Sequence, residues 1–253
     1  MKVAALYDIH ANPFALDAVL KDVVSYGVDL ILVGGDVVSG PMGKETLSLL
    51  QSFPLPKKYI LGNAESEVLR CLKGEKINGL SERADEEARW VTGQLTAKQQ
   101  NEIGKWPKTC ELELEGIGKV LFCHGTPRSD VEVFTKLTSE EKLRSLFEFL
   151  TVPLVICGHT HMQFERKVGG VQVVNAGSVG MPFGKTGADW LLLDKGVHFM
   201  HTDYDLEYAA DLIMKSDYPY AESFALNNVL KVPSEENALK MLSAMELQQQ
   251  VDG

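Results

Sequence analysis

The chain has 253 residues, 45% hydrophobic and 24% charged, enough apolar material for a sizeable core without covalent staples. Its formal net charge of −10 excludes the broad basic face that a nucleic-acid-coating or membrane-surface protein needs, although one local basic pocket stays allowed. The four cysteines, Cys71, Cys110, Cys123 and Cys157, show no CxxC spacing, and Cys123 and Cys157 lie inside apolar runs, as reduced core thiols do.

In chain order, the N-terminal KVAALYDIH carries one positive charge and an apolar run that Asp8 interrupts. It reads as a first strand over 3–7, not as a signal peptide. Asn12-Pro13 supplies an N-cap and a first-turn proline for a helix over 14–25, which lines up Leu16, Val19, Leu20 and Val23 on one face. A strand over 30–34, a helical pattern over 44–53 and a strand over 59–61 follow. This alternation predicts parallel pairing with right-handed crossovers. Residues 64–105 are polar, rich in Glu and Lys and without a strand pattern, so they are expected to form a helical insert overhanging the sheet edge. Strands return at 110–123, 154–157 and 171–200, the last group expected to be antiparallel. Residues 205–253 read as helical, broken at Tyr218-Pro219 and Val232-Pro233, with QQQVDG as a frayed end. No run of about 18 apolar residues occurs, so no membrane span is expected and a cytoplasmic protein is the default.

The strand ends share a property. Asp8-Ile9-His10, Gly35-Asp36, Gly62-Asn63, His124-Gly125 and Gly158-His159-Thr160-His161 each follow an apolar run. In an open α/β sheet, ligand sites form beyond the carboxyl ends of the strands. Each block alone has a plainer reading: an Asp after a strand is often an N-cap, Gly-Asp and Gly-Asn are turns, and His124 alone fits a core histidine. Together they place four of the six histidines at strand ends, leaving His198 and His201 as surface or structural residues. Two carboxylates, one amide oxygen and four imidazoles, with no thiolate, suit Mn²⁺, Fe, Zn²⁺, Co²⁺ or Ni²⁺ better than Ca²⁺ or Mg²⁺. Seven ligands exceed one tetrahedral zinc but fit two ions about 3.5–4 Å apart, an arrangement suited to hydrolysis at phosphorus.

In this order the blocks resemble the calcineurin-like metallophosphoesterase superfamily, and within it the compact bacterial phosphodiesterase branch that includes diadenosine-tetraphosphatase-like proteins. HGTPR at 124–128 and NAGSVGMP at 175–182 are softer matches, and the likeness runs from residue 1 to about 205. The resemblance implies an α/β fold, a four-layer αββα sandwich of two mixed sheets flanked by helices. It implies a metallophosphoesterase domain over 1–205 and a C-terminal helical extension over 206–253 packed on it. One metal takes Asp8, His10, Asp36 and His161; the second takes Asp36, Asn63, His124 and His159, with Asp36 bridging. A hydroxide held between the ions attacks phosphorus, and Mn or Fe is favoured. Asp36 and Asn63 are thus expected to be catalytic as well as ligating.

The third block departs from the pattern, since Ala64 stands where many relatives carry a histidine. General-acid assistance of roughly 10²–10⁴-fold is then missing unless replaced. The expectation is a phosphodiesterase for nucleotide-like or other activated esters, with small phosphorylated substrates and no membrane or nucleic-acid partner. Glu65 is either a substitute acid or a solvated helix carboxylate. Arg128 is either a phosphate clamp or a surface ion pair, and Ser178 donates either to phosphate or to backbone. Trp90 and Trp106 either stack on a base or pack the helical insert. Alternatives are a non-catalytic scaffold, like the phosphoesterase-like subunit of the retromer coat, and a Ser/Thr protein phosphatase. The second is disfavoured by the missing histidine, and a homo-oligomer through the C-terminal helices stays open.

Overall fold

The structure, a computed structural model, describes residues 1–76 and 81–252. β1 (Val3–Leu6) leads through an Asn12-capped turn into α1 (Pro13–Ser25), the Asn12 side chain accepting from Ala15 N at 3.1 Å. β2 (Leu30–Val33), α2 (Gly43–Ser52) and β3 (Lys57–Tyr59) complete a parallel unit. Three helices fill the expected insert: α3 (Asn63–Leu72), α4 (Glu82–Gln94) and α5 (Ala97–Ile103). Its residues 77–80 lie outside the described ones.

The second half adds β4 (Thr109–Leu114), β5 (Gly118–Cys123), α6 (Glu140–Phe147), β6 (Leu154–Cys157), β7 (Gln163–Val168) and β8 (Val171–Ala176). β9 (Ala188–Leu193) and β10 (Val197–Thr202) precede α7 (Leu206–Met214), α8 (Ala221–Phe224), a π-turn over Ala225–Val229, and α9 (Glu235–Asp252). Two five-stranded mixed sheets result, ordered β10-β9-β1-β2-β3 and β4-β5-β6-β8-β7.

The period-2 alternation of strand side chains builds the layers. In and just after β1, Val3, Ala5 and Tyr7 join Phe122, Ile156 and Val174 between the sheets, while Ala4 and Leu6 face Leu16 and Val19 of α1. On the far side Cys123, Val155 and Cys157 pack against Leu143 and Phe147 of α6 and Leu242 of α9. All four cysteines are free thiols. Helices cover both outer faces, the expected αββα sandwich. Among the described residues no helix is long and apolar enough to cross a membrane.

Three local expectations change. The third strand ends at Tyr59 instead of running to 61, because Leu61 N turns away to bond Pro107 O at 2.9 Å. Residues 171–200 do not form one antiparallel group: β8 pairs parallel with β6, whereas β9 joins β1 in the other sheet. The chain crosses between sheets over 177–187, which brings that loop to the ends of both. β7 and α6 were not anticipated. β7, QFERKV, is an edge strand whose charged Glu165 and Lys167 face outward and dilute its apolar pattern.

Candidate metal centre

The loops beyond β1, β2 and β6 hold an unusual backbone. Asp8 (φ 52°), His10 (46°), Asp36 (50°), His159 (68°) and His161 (54°) all lie in the left-handed region. Such a conformation costs about 1–3 kcal/mol at a non-glycine residue and persists only where surroundings over-determine it. Here they do. Asp8 N, His10 N and Ala11 N donate to the carbonyls of Gly35, Asp36 and Val37 at 2.8–3.1 Å, locking the first loop to the second. Asn175 Nδ2 donates to Gly158 O at 2.6 Å and to Thr160 Oγ1 at 3.0 Å, holding the third. Gly158 and Gly62 are required by close approach, since a Cβ would fall 2.4 Å from Asp8 Oδ2 and 2.2 Å from Asp36 Oδ1 respectively.

Two groups of donor atoms converge. In the first, His10 Nε2 and His161 Nε2 stand 2.9 Å apart, with Asp8 Oδ1 3.4 Å from His161 and 3.9 Å from His10. In the second, His124 Nε2 lies 3.5 Å from Asp36 Oδ1, 3.8 Å from Asp8 Oδ1 and 3.0 Å from Asn63 Oδ1. Asp36 faces both groups, its Oδ2 being 3.8 Å from His10 Nε2. His10 Nδ1 and His124 Nδ1 rest against the carbonyls of Ser39 (3.3 Å) and Gly34 (2.9 Å), which aims each Nε2 at the centre. His159 stands beside the second group rather than in it. Its ring centroid is 5.2 Å from that of His124, its N–H donates to Asp8 Oδ2 at 2.8 Å, and its Nε2 faces Val131 O at 3.3 Å.

The electrostatics fit divalent cations. Asp8 Oδ1, fully buried at the centre, has no hydrogen-bond partner among the described residues. Burial alone raises the Asp8 carboxyl, but the imidazoles of His161, His124 and His10 outweigh it and hold it below the usual range. Burial pushes Asp36 upward, with Glu65 and Asp8 adding to it against His124. Burial and then the His161 ring push His10 down to about 3, leaving it neutral at pH 7, the form that ligates. For His124, burial is outweighed by Asp36 and Asp8, and the imidazole rises. Buried carboxylate and imidazole donors converging on an unpartnered oxygen form a donor set for ions of the Mn, Fe or Zn kind.

Three further candidates have other tasks. Glu65 is not solvated: fully buried, its Oε2 accepts from Asp36 N (2.8 Å) and Gly62 N (3.0 Å), and its Oε1 from Val37 N (2.8 Å) and Val38 N (3.3 Å). A carboxylate holding four N–H groups has no oxygen left for a leaving group, so Glu65 is a brace for the Asp36 loop. Ser178 is also spent on backbone, donating to Asp8 O at 2.6 Å and accepting from Met181 N at 2.8 Å. Arg128 is exposed and its fork grips Glu132 at 2.6 and 2.9 Å, the surface ion pair.

Beside the ligands opens a cavity of about 130 Å³. His10, Asp36, Asn63 and Ala64 line it together with Glu87, Ala88 and Val91 of α4. Trp106 stacks on Tyr59 at 4.6 Å and Trp90 meets Tyr218 edge-on at 5.2 Å, both in packing roles. Glu87 and Tyr218 escaped the sequence reading because their partners, Ser39 for one and Glu87 for the other, are distant in the chain.

Two mixed sheets presenting an N/O donor set at a shared end define a metal-binding αββα protein. The chain belongs to the calcineurin-like phosphoesterase superfamily, whose domain matches residues 1–195. A Methanocaldococcus jannaschii protein, MJ0912, is 24% identical over 237 residues, 86% of this chain and 93% of its own. Among solved structures, a metallophosphoesterase from Sphaerobacter thermophilus is similar with a TM-score of 0.69 at 23% identity, covering 91% of this chain and 98% of its own. The protein PH1004 of Pyrococcus horikoshii reaches 0.77 at 16% identity, covering 91% and 99%. These likenesses bear on the fold.

Proposed function

We propose that the protein is a dinuclear metal-dependent phosphodiesterase acting on nucleotide-like or other activated phosphate esters. The observation that carries this reading is the convergence of Asp8, His10, Asp36, Asn63, His124 and His161 around the unpartnered Asp8 Oδ1. Those six, with His159 once its ring turns from Val131 O, are the proposed ligands of two ions, Mn or Fe being favoured. When bound, two such ions supply Lewis-acid activation of water and a grip on the phosphoryl oxygens.

The chain's own residues divide the remaining work. Asp36, turned to both groups and braced by Ala64 N at 2.8 Å, fixes their separation. Glu65, Ser178 and Asn175 hold the loops against relaxation. Ala64 lines the cavity with a methyl group, so no proton is donated from that position and good leaving groups are favoured over simple alkoxides. The proposed domain spans 1–205, with the 206–253 extension packed on it and acting in the cytoplasm.

The test is metal content by plasma mass spectrometry on chelator-free protein, beside turnover of bis-p-nitrophenyl phosphate with added Mn²⁺. About two ions per chain with turnover abolished in Asp36→Asn is the expected result. Protein that gains neither ions nor activity under Mn²⁺, Fe²⁺, Co²⁺ or Ni²⁺ overturns the reading in favour of a binding role.

A further inference from the structure

The cavity's second wall is not explained by metal binding. α4 sets a half-buried Glu87 into it, opposite the candidate ligands. Glu87 Oε1 accepts from Ser39 Oγ at 3.0 Å and from Tyr218 Oη at 2.7 Å. Both donors are uncharged, so they orient the carboxylate without neutralising it. Burial and the nearby Glu87 raise the Tyr218 hydroxyl above its usual range, so it stays a donor. The other glutamate lining the cavity, Glu67 of α3, is already matched: Arg70 Nε reaches its Oε2 at 2.5 Å. No lysine or arginine lines the cavity among the described residues.

A phosphate ester gripped at the ligand side can place one of its alcohol groups in this cavity, because His10, Asp36 and Asn63 line it together with Glu87. An anionic group beside Glu87 meets its carboxylate and no cationic side chain among the described residues that line the cavity. A hydroxyl or ammonium meets an oriented acceptor. Resting on the phosphodiesterase reading above, we infer that the cavity receives an alcohol portion of the substrate and that Glu87 is its specificity-determining residue. It selects an alcohol bearing a neutral or cationic hydrogen-bond donor and rejects one bearing a second negative charge. A small amino alcohol meets that requirement; a polyphosphate tail does not.

The experiment uses the Mn²⁺-loaded full chain and three p-nitrophenyl phosphodiesters whose second alcohol is ethyl, 2-aminoethyl or 2-carboxyethyl. In the wild type, kcat/KM for the 2-aminoethyl diester should exceed that for the ethyl diester by about tenfold, the worth of one charge-assisted hydrogen bond. The 2-carboxyethyl diester should fall below the ethyl one. In Glu87→Gln the aminoethyl-to-ethyl ratio should shrink to about threefold or less. Equal use of all three diesters, a ratio that survives the substitution, or an equal fall for all three overturns the assignment. Calorimetric binding of 2-aminoethyl phosphate against ethyl phosphate reads the same preference without turnover. A tenfold binding preference lost in Glu87→Gln, with no diester turned over, would uphold the Glu87 assignment and sink the phosphodiesterase reading. Turnover without any preference would do the reverse.

Discussion

The two walls of the cavity are built by different physics. The ligand wall is made of loops at the ends of buried strands, with five candidate ligands in left-handed backbone and their carbonyls and amides bonded to one another. The opposite wall is helical and held by side-chain pairs: Arg70 to Glu67 and Asp85, Tyr218 to Glu87, Tyr220 to Glu86, and Arg83 over the Tyr220 ring at 4.1 Å. Backbone strain survives only where many contacts agree, so one wall tolerates little change. Partly exposed pairs are individually weak, so the other wall can be re-specified at low cost. On the proposed reading, reaction chemistry and substrate choice would fall to regions of unequal stiffness.

Substitutions test that inequality. Asp36→Asn removes a charge shared by both ligand groups, and loss of several kcal/mol of stabilisation lowers bis-p-nitrophenyl phosphate turnover by about 10³-fold or more, with metal content falling alongside. Glu65→Gln points an amide at backbone N–H groups that need acceptors, costing about 2–5 kcal/mol. Calorimetry of the chelated protein should show the melting temperature dropping by about 5–15 °C. An unchanged melting temperature with only turnover reduced would restore Glu65 as an acid.

Asn175→Ala frees the Gly158 and Thr160 contacts, and titration should show Mn²⁺ affinity weakened about 10–100-fold. On the helical wall, Tyr218→Phe deletes one hydrogen bond to Glu87, worth about 1 kcal/mol and a melting shift of about 2–4 °C. Arg128→Ala should be smallest, within about 0.5 kcal/mol in stability and about twofold in turnover. A tenfold rise in KM for a diester would return Arg128 to the phosphate.

How much was legible follows the same division. Strands such as VAAL and LVIC, buried on both faces, announced themselves as apolar runs, and their Asp, Asn and His ends could be read by position alone. β7 could not, because an edge strand mixes charge into its pattern. The roles of Glu65 and Ser178 were also hidden. Nothing in their local sequence says that Glu65 will turn inward to four amides, or that Ser178 will reach a carbonyl 170 positions away. Arg128 carries two readings in the sequence, and Glu132 four positions further on is the local signal for the ion pair.

The placement of β1 has a consequence for how the protein is made. Its strand lies between β2 and β9, and Asp8 at its end is pinned by Ser178, separated from it by 170 residues. At a synthesis rate of about 5–20 residues per second, Asp8 and His10 leave the ribosome roughly ten to thirty seconds before those partners exist. The first pieces of the centre to be translated therefore meet the second loop early and receive their last fixed contact only when the chain returns to the first sheet. All seven candidate ligands precede that crossing, so a chain halted before Ser178 holds every donor group but lacks the Ser178 contact and the β9 pairing that fix the end of β1.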